Sequence, residues 1–349
     1  MIFSGDVAIA DGVSFEFLDF PDHLKNSPWC INLEGAIGSI DDLSNGWGCY
    51  NSTAWVQSFN GFKLGPLFIA NNHIHDIEGG VEKTLKLASG AGLECFGAGL
   101  NVDKAKRRVS CASNGVEYHL IGCGWPVIGC QAADNRAPGV NTLEGNRVRE
   151  LAKEAIGKHP SDRTVVVIHG NYEFERYPQP AHRKLAFQLI DLGVYAVIFH
   201  HPHVVGPVER YKGRTIAYSL GNWAFSYGEF FSGKLKFPQS SFHQIAIELG
   251  LDGDVLHHAK FIPPNTVEYQ RAENIGDDAM SLVPEFEGYT HDEYIIWFKK
   301  NRIKRKLLPI YQDADSSLFN SMRDCWIKGR QILIDAATKA GVKSYRRRG

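Results

Sequence analysis

Leu67-Phe68-Ile69-Ala70-Asn71-Asn72-His73-Ile74-His75-Asp76 and Ala196-Val197-Ile198-Phe199-His200-His201-Pro202-His203-Val204 decide how this 349-residue chain is read. Each passes directly from an apolar run into imidazoles and a carboxamide or carboxylate. Buried strands of a parallel sheet read as continuous apolar runs. Ligands of open α/β sheets gather outside the carboxyl ends of such strands. A His-x-His step can aim two imidazoles at one small object, most often a transition metal.

Working outward, short runs rich in Val, Ile and aromatics predict further strands at Ile2–Ala8, Trp29–Asn32, Glu94–Phe96, Tyr118–Gly122 and Thr164–His169. Apolar spacing predicts helices over Gly79–Ala91, Gly145–His159 and His182–Leu192. Val204–Glu209, Thr215–Leu220, Phe242–Leu249 and Val255–Ile262 follow without long helices, with turn residues at Lys212-Gly213 and Asp252-Gly253-Asp254. Alternating β and α followed by hairpins predicts an α/β sandwich of mixed sheets covered by helices. Pro263-Pro264 suggests a boundary between a domain at 1–265 and a helical extension at 266–349, with helices over His291–Arg305 and Ser316–Ala340. The terminal Arg346-Arg347-Arg348 reads as a solvated end.

A formal net charge of -1, with 44% hydrophobic and 22% charged residues, describes an ordinary globular protein and gives no electrostatic case for nucleic acid. The seven cysteines contain no Cys-x-x-Cys pair and suit a reducing compartment. Met1–Asp6 shows no basic segment leading into an apolar one, and no run reaches the ~18 apolar residues that a membrane span requires. The expectation is a cytoplasmic protein without a transmembrane segment. Composition gives no oligomeric state.

Metal-type side chains stand at the ends of several predicted strands: Gly5-Asp6, Asn32-Leu33-Glu34-Gly35, Asn71-Asn72-His73, His169-Gly170 and His201-Pro202-His203. One such residue would be an unremarkable cap. Together they converge on one sheet edge. Carboxylate, carboxamide and imidazole donors without thiolate suit divalent Mn, Fe or Zn. There are enough of them for two ions that share a bridging carboxylate and activate a water.

The ordered blocks Gly5-Asp6, Asn32 to Gly35, Asn71 to Asp76, His169 to Glu173, His200 to Val204 and Tyr218 to Asn222 resemble the CapA family of capsule and poly-γ-glutamate synthesis proteins. That family is a branch of the calcineurin-like metallophosphoesterases. The resemblance implies a four-layer α/β/β/α sandwich over roughly 1–265. It implies two divalent ions, with Asp6 and His203 on one, Asn72, His169 and His201 on the other, and Glu34 between them. His73 would assist the leaving group, with Asp76 holding its imidazole if the segment turns helical. Asn32, Glu173 and Asn222 are weaker candidates for substrate contact. Tyr172, Tyr177 and Trp223 are either pocket wall or core.

The expected activity is hydrolysis of a phosphoester or a glutamyl amide, in a small molecule or a polymer. The alternatives are amide formation in a biosynthetic setting and a scaffold role in capsule machinery. Departures from the resemblance also generate expectations. Asp6-Val7-Ala8 lacks the family superfamily's His two residues after the Asp, which leaves the first ion a ligand short. Gly193-Val194-Tyr195, Phe199, Gly206 and His182 replace common residues around the pocket and suggest an altered substrate rather than lost metal binding.

Overall fold

Two twisted sheets stack face to face in the computed structural model, which describes residues 1–43, 46–251, 253–271, 282–303 and 308–339. The larger has nine strands, in the order Glu16–Leu18, Thr266–Gln270, Asp254–Ile262, His243–Leu249, Ile2–Ala8, Trp29–Leu33, Leu64–Phe68 and Cys95–Phe96; Asn222–Phe225 also pairs with Ile2–Ala8. Ile2–Ala8, Trp29–Leu33, Leu64–Phe68 and Cys95–Phe96 run parallel. The smaller sheet orders Val208–Tyr211, Arg214–Ala217, Ala196–His200, Arg163–His169, Val116–Gly124 and Val109–Ser113, with its four central strands parallel.

The period-two alternation of strands sorts side chains between two cores. Val165, Val167 and Ile198 point between the sheets, where they join Phe68. Val166, Ile168, Val197 and Phe199 point outward beneath the helices Gly145–Lys158, Pro180–Asp191 and His291–Asn301. On the far side, Gly80–Gly90 turns Val81, Thr84 and Ala88 inward against the larger sheet. The layers are therefore α/β/β/α, as expected.

The sheet runs past 265. Thr266–Gln270 pairs with Asp254–Ile262 and with Glu16–Leu18, so Pro263-Pro264 turns a hairpin where a linker was expected. The 249–254 hairpin forms between His243–Leu249 and Asp254–Ile262, with Asp252 outside the described residues. Phe286, Tyr294, Phe298 and Tyr311 complete the outer core of the smaller sheet. Arg346–Arg348 lie outside the described residues. Among the described residues no helix is long and apolar enough to cross a membrane.

Several sequence departures lie at packing positions. His182 stacks on Phe199 at 5.7 Å and meets Trp125 edge-on at 4.8 Å. Tyr195 sits before the opposite end of its strand, under Arg163 and Arg214, with its hydroxyl on Asp254. Gly206 packs against backbone, where a Cβ would lie 2.9 Å from Ser219 N. The expectation of an altered pocket is corrected for these positions: they change packing. Trp223 and Tyr172 likewise belong to the cores.

A buried ion pair fastens the C-terminal segment to the smaller sheet. Arg183, 2% exposed, binds Glu209 through Nε (3.0 Å) and Nη2 (2.6 Å) and donates through Nη1 to Tyr289 O at 2.9 Å. Tyr218 donates to Glu209 at 2.7 Å. Removing one partner strands the other charge, at a cost of about 3–5 kcal/mol, whereas replacing both with apolar residues can be neutral. Glu209→Ala is therefore expected to lower stability by about that much in urea titrations, and Arg183→Met/Glu209→Leu to recover most of it.

Candidate metal centre

At the carboxyl ends of the parallel strands the sheets bring their polar residues together. Asp6 lies near the carboxyl end of Ile2–Ala8 and Asn32 lies beside it in register, with Glu34 just beyond Trp29–Leu33. Gly5 is required here, since a Cβ would fall 2.1 Å from Gly221 O on the neighbouring chain segment that carries Asn222. Gly35 has φ +86° with the Cys49 carbonyl beneath it, so the chain turns sharply and leaves Glu34 facing inward. From the smaller sheet come His169 and His200, paired across adjacent strands, and then the His201-Pro202-His203 turn. His201 (φ 97°) and His203 (φ 58°) both lie in left-handed backbone, a conformation that costs non-glycine residues of order 1–3 kcal/mol each. That strain lets successive imidazoles point into the same space.

Asp6 Oδ1 accepts from Asn32 Nδ2 at 2.8 Å and lies 3.1 Å from His200 Nδ1, while its Oδ2 is 3.2 Å from His203 Nδ1. Asn32 Nδ2 also approaches His169 Nδ1 at 3.3 Å. His169 Nε2 meets Asn72 Oδ1 at 2.8 Å, and His203 Nδ1 meets Asn222 Oδ1 at 2.9 Å. Glu34 Oε1 stands 3.5 Å from His203 Nε2 and 3.9 Å from both His169 Nε2 and His73 Nε2. Two ligand-type groups, Asp6–Glu34–His169 and Glu34–His201–His203, each gather donor atoms within 4.8 Å and share Glu34.

The electrostatics follow from burial. Burial pushes the Glu34 carboxyl up to about 8, with nearby Asp6 adding to the effect and His203 opposing it. Burial acts against the Asp6 carboxylate too, but hydrogen bonds from His200 and His203 hold it well below the usual range. Burial drives the His169 and His201 imidazoles well down, towards the neutral form that binds metals. It also opposes the His203 imidazolium, yet Glu34 and Asp6 lift that group to about 9. For His73 the same opposition is overcome by Asp76, and its value is raised.

These residues fit a divalent cation. Both carboxylate oxygens of Glu34 are buried without a hydrogen bond, as is Nδ1 of His201. An uncompensated buried carboxylate costs several kcal/mol. Carboxylate, imidazole and carboxamide donors without thiolate match Mn, Fe or Zn.

The candidate ligands Asp6, Glu34, Asn72, His169, His201 and His203 meet here, as does His73. Asp76 accepts from His73 Nδ1 at 2.7 Å and from the Cys49 backbone N–H at 2.8 Å. It does so from a hydrogen-bonded turn, Asp76 N to His73 O, rather than from a helix. Asn32 is fully buried between Asp6 and His169, and Asn222 orients His203. Glu173 acts electrostatically on Glu34, His73 and His203.

Two residues were missed. His200 occupies the flank of Asp6 that was expected to lack a partner. Its visible signal was strand register, because it stands beside His169. Asn71 ties the two loops together, accepting from the N–H of Gly35 (3.1 Å) and His73 (3.0 Å) while donating to Leu33 O (2.8 Å).

Residues 19–227, more than half of the chain, match the family described as bacterial capsule synthesis protein PGA_cap. The chain belongs to this family. It is 34% identical over 161 residues to the PGA biosynthesis protein CapA of Bacillus subtilis, covering 46% of this chain and 42% of that protein. It is 32% identical over 165 residues to the capsule biosynthesis protein CapA of Bacillus anthracis, covering 46% and 40% respectively. A probable polyglutamine synthesis accessory protein of Mycobacterium tuberculosis is 29% identical over 170 residues, covering 44% of this chain and 43% of that protein. The matched region thus spans less than half the length of these relatives. A solved SoxB sulfate thiohydrolase from Thermus thermophilus aligns with 12% identity and a TM-score of 0.40, covering 73% of this chain and 41% of that one.

Asn71→Ala would leave the Gly35 and His73 N–H groups without their acceptor, at about 1–3 kcal/mol for each one that stays buried. A lowered melting temperature in calorimetry is the expected result. An unchanged one would mean that the Glu34 and His73 loops hold their places independently.

Proposed function

We propose that the protein is a dimetal hydrolase of the capsule and poly-γ-glutamate type, cleaving a phosphoester or a glutamyl amide. The observation that carries this reading is Glu34: a buried carboxylate, unbonded at both oxygens, at the meeting point of two ligand groups. Asp6 and His203 would hold one ion, Asn72, His169 and His201 the other, with Glu34 bridging. The short contacts Asp6–His203 and Asn72–His169 favour that division, although the groupings Asp6–Glu34–His169 and Glu34–His201–His203 cross it. When bound, such a pair of ions supplies a water of lowered pKa and clamps the oxygens of a displacement.

The chain's own residues would do the rest. Asp76, itself fixed by the Cys49 N–H, orients His73 and favours its protonated form. Nε2 of His73 then faces the Glu34 side of the site and can hydrogen-bond or protonate a leaving group. Phe231 packs against the His73 ring at 5.6 Å and limits its rotation. Asn32 and His200 hold Asp6, and Asn222 holds His203, so that the proposed ligands stay in place.

A second reading, an accessory subunit that binds polymer without catalysis, is favoured by the likeness to the mycobacterial polyglutamine synthesis accessory protein. Metal analysis and turnover separate the two. Wild type supplied with Mn²⁺ or Zn²⁺ is expected to retain two ions per chain at this centre, and Glu34→Ala to lose at least one of them, by elemental analysis. Retention of less than one ion by the wild type would favour the accessory role. His73→Ala should keep its ions yet hydrolyse an aryl phosphodiester or a γ-glutamyl oligomer about 10²–10⁴-fold more slowly. If wild type turns over neither compound while holding both ions, the hydrolase reading fails for these substrates. The compound that is cleaved decides between ester and amide chemistry.

A further inference from the structure

A second cluster of metal-type side chains lies at the other end of the smaller sheet. His119 belongs to the strand Val116–Gly124 and stands in register with Thr164, five residues before His169. At about 3.3 Å per residue this places it roughly 17 Å from the candidate centre. Beside it, His159 follows the helix Gly145–Lys158, and Asp162 precedes the strand Arg163–His169.

Asp162 Oδ2 is 2.9 Å from His119 Nε2 and 3.5 Å from His159 Nδ1. The three groups offer donor atoms within 4.8 Å of one another, and the two rings lie 4.2 Å apart. Ligands about 2.0–2.1 Å from a tetrahedral zinc stand roughly 3.3 Å from each other, which these separations bracket. His119 is 3% exposed and held by Ser110, whose Oγ is 2.8 Å from Nδ1. Fixing one ring nitrogen aims the other, the arrangement that surrounds metal-bound imidazoles. Nitrogen, nitrogen and oxygen donors without thiolate suit zinc, with solvent completing the sphere.

We propose that His119, His159 and Asp162 form a peripheral transition-metal site of the zinc class, separate from the centre around Glu34. Arg108 tunes it. Its Nη2 is 3.1 Å from His159 Nε2, so it donates there and leaves the ring proton on Nδ1, the atom that must face the ion. Binding moves that proton to Nε2 and releases Arg108, for which Glu154 lies 4.0 Å away. The guanidinium thus competes with the metal, both through the tautomer and through its charge.

The test uses the full chain and Zn²⁺ alone, with bound zinc counted after equilibrium dialysis. His159→Ala should retain one ion per chain fewer than wild type, and Asp162→Asn should bind that ion more weakly. Glu34→Ala and His201→Ala should leave it in place, so failure here is distinguishable from failure of the hydrolase reading. Arg108→Ala should tighten zinc binding several-fold. Equal zinc counts and affinities in wild type, His159→Ala and Asp162→Asn would overturn the proposal. So would weaker binding in Arg108→Ala. His159 is partly exposed, so its truncation spares the fold, and melting curves of each variant check this.

Discussion

The Glu34 carboxylate is a charge that the fold buries without hydrogen bonds, and much of the surrounding structure makes sense as its compensation. Among the described residues, its shortest ion-pair contact is His203 at 3.5 Å. Imidazoles from the smaller sheet and from the Asn71–Asp76 loop surround it, while Asp6 adds a like charge behind it. An acid in that position is either neutral or matched by positive charge. With burial raising Glu34 to about 8, the protein alone leaves it largely protonated near neutrality, and bound cations would restore the carboxylate. The strained backbone at His201 and His203 also becomes intelligible, because relaxing either residue would swing an imidazole away from this point.

The sequence made the site more legible than the chain's outer limits. Strand ends of parallel sheets converge by topology, so a residue such as His169 or Asp6 could be placed from local pattern alone. Side-chain pairing across the two sheets has no such local signature. His200 is the instructive case: read along its own segment, it is the first of three histidines and the easiest to discard. Only the register that sets it beside His169, together with the stacking of the sheets, carries it to Asp6. Beside Asp6-Val7-Ala8 the neighbouring imidazole comes from another strand, and it holds Asp6 by a hydrogen bond.

The boundary at Pro263-Pro264 was misplaced for a related reason. Adjacent prolines disrupt strand pairing wherever they fall, and local composition cannot separate a hairpin turn from a linker. The five residues of Thr266–Gln270 pair on both sides, which only long-range contacts reveal. In the same way, Tyr195, Phe199 and His182 were read as pocket changes because they lie near motif residues in sequence. Alternation in a strand sends neighbours to opposite faces, so Phe199 turns into the outer core while His200 turns toward the metal centre.

That same alternation explains how the smaller sheet can serve two purposes. Its inner face and carboxyl end supply imidazoles to Glu34, and its outer face carries an ordinary core bounded by the Arg183–Glu209 pair. Among the described residues, the C-terminal segment is attached to the second of these through Tyr289, Tyr294 and Tyr311, and reaches the His169–Tyr177 loop through Ile303 and Pro309. Its contacts run to Pro178, Ala181 and Arg183, at the start of the helix that follows the His169–Tyr177 loop. The loop itself is held by Asn171, which donates to Glu175 O and Tyr177 O. The described residues of the segment therefore pack against the frame that carries His169 and the loop after it.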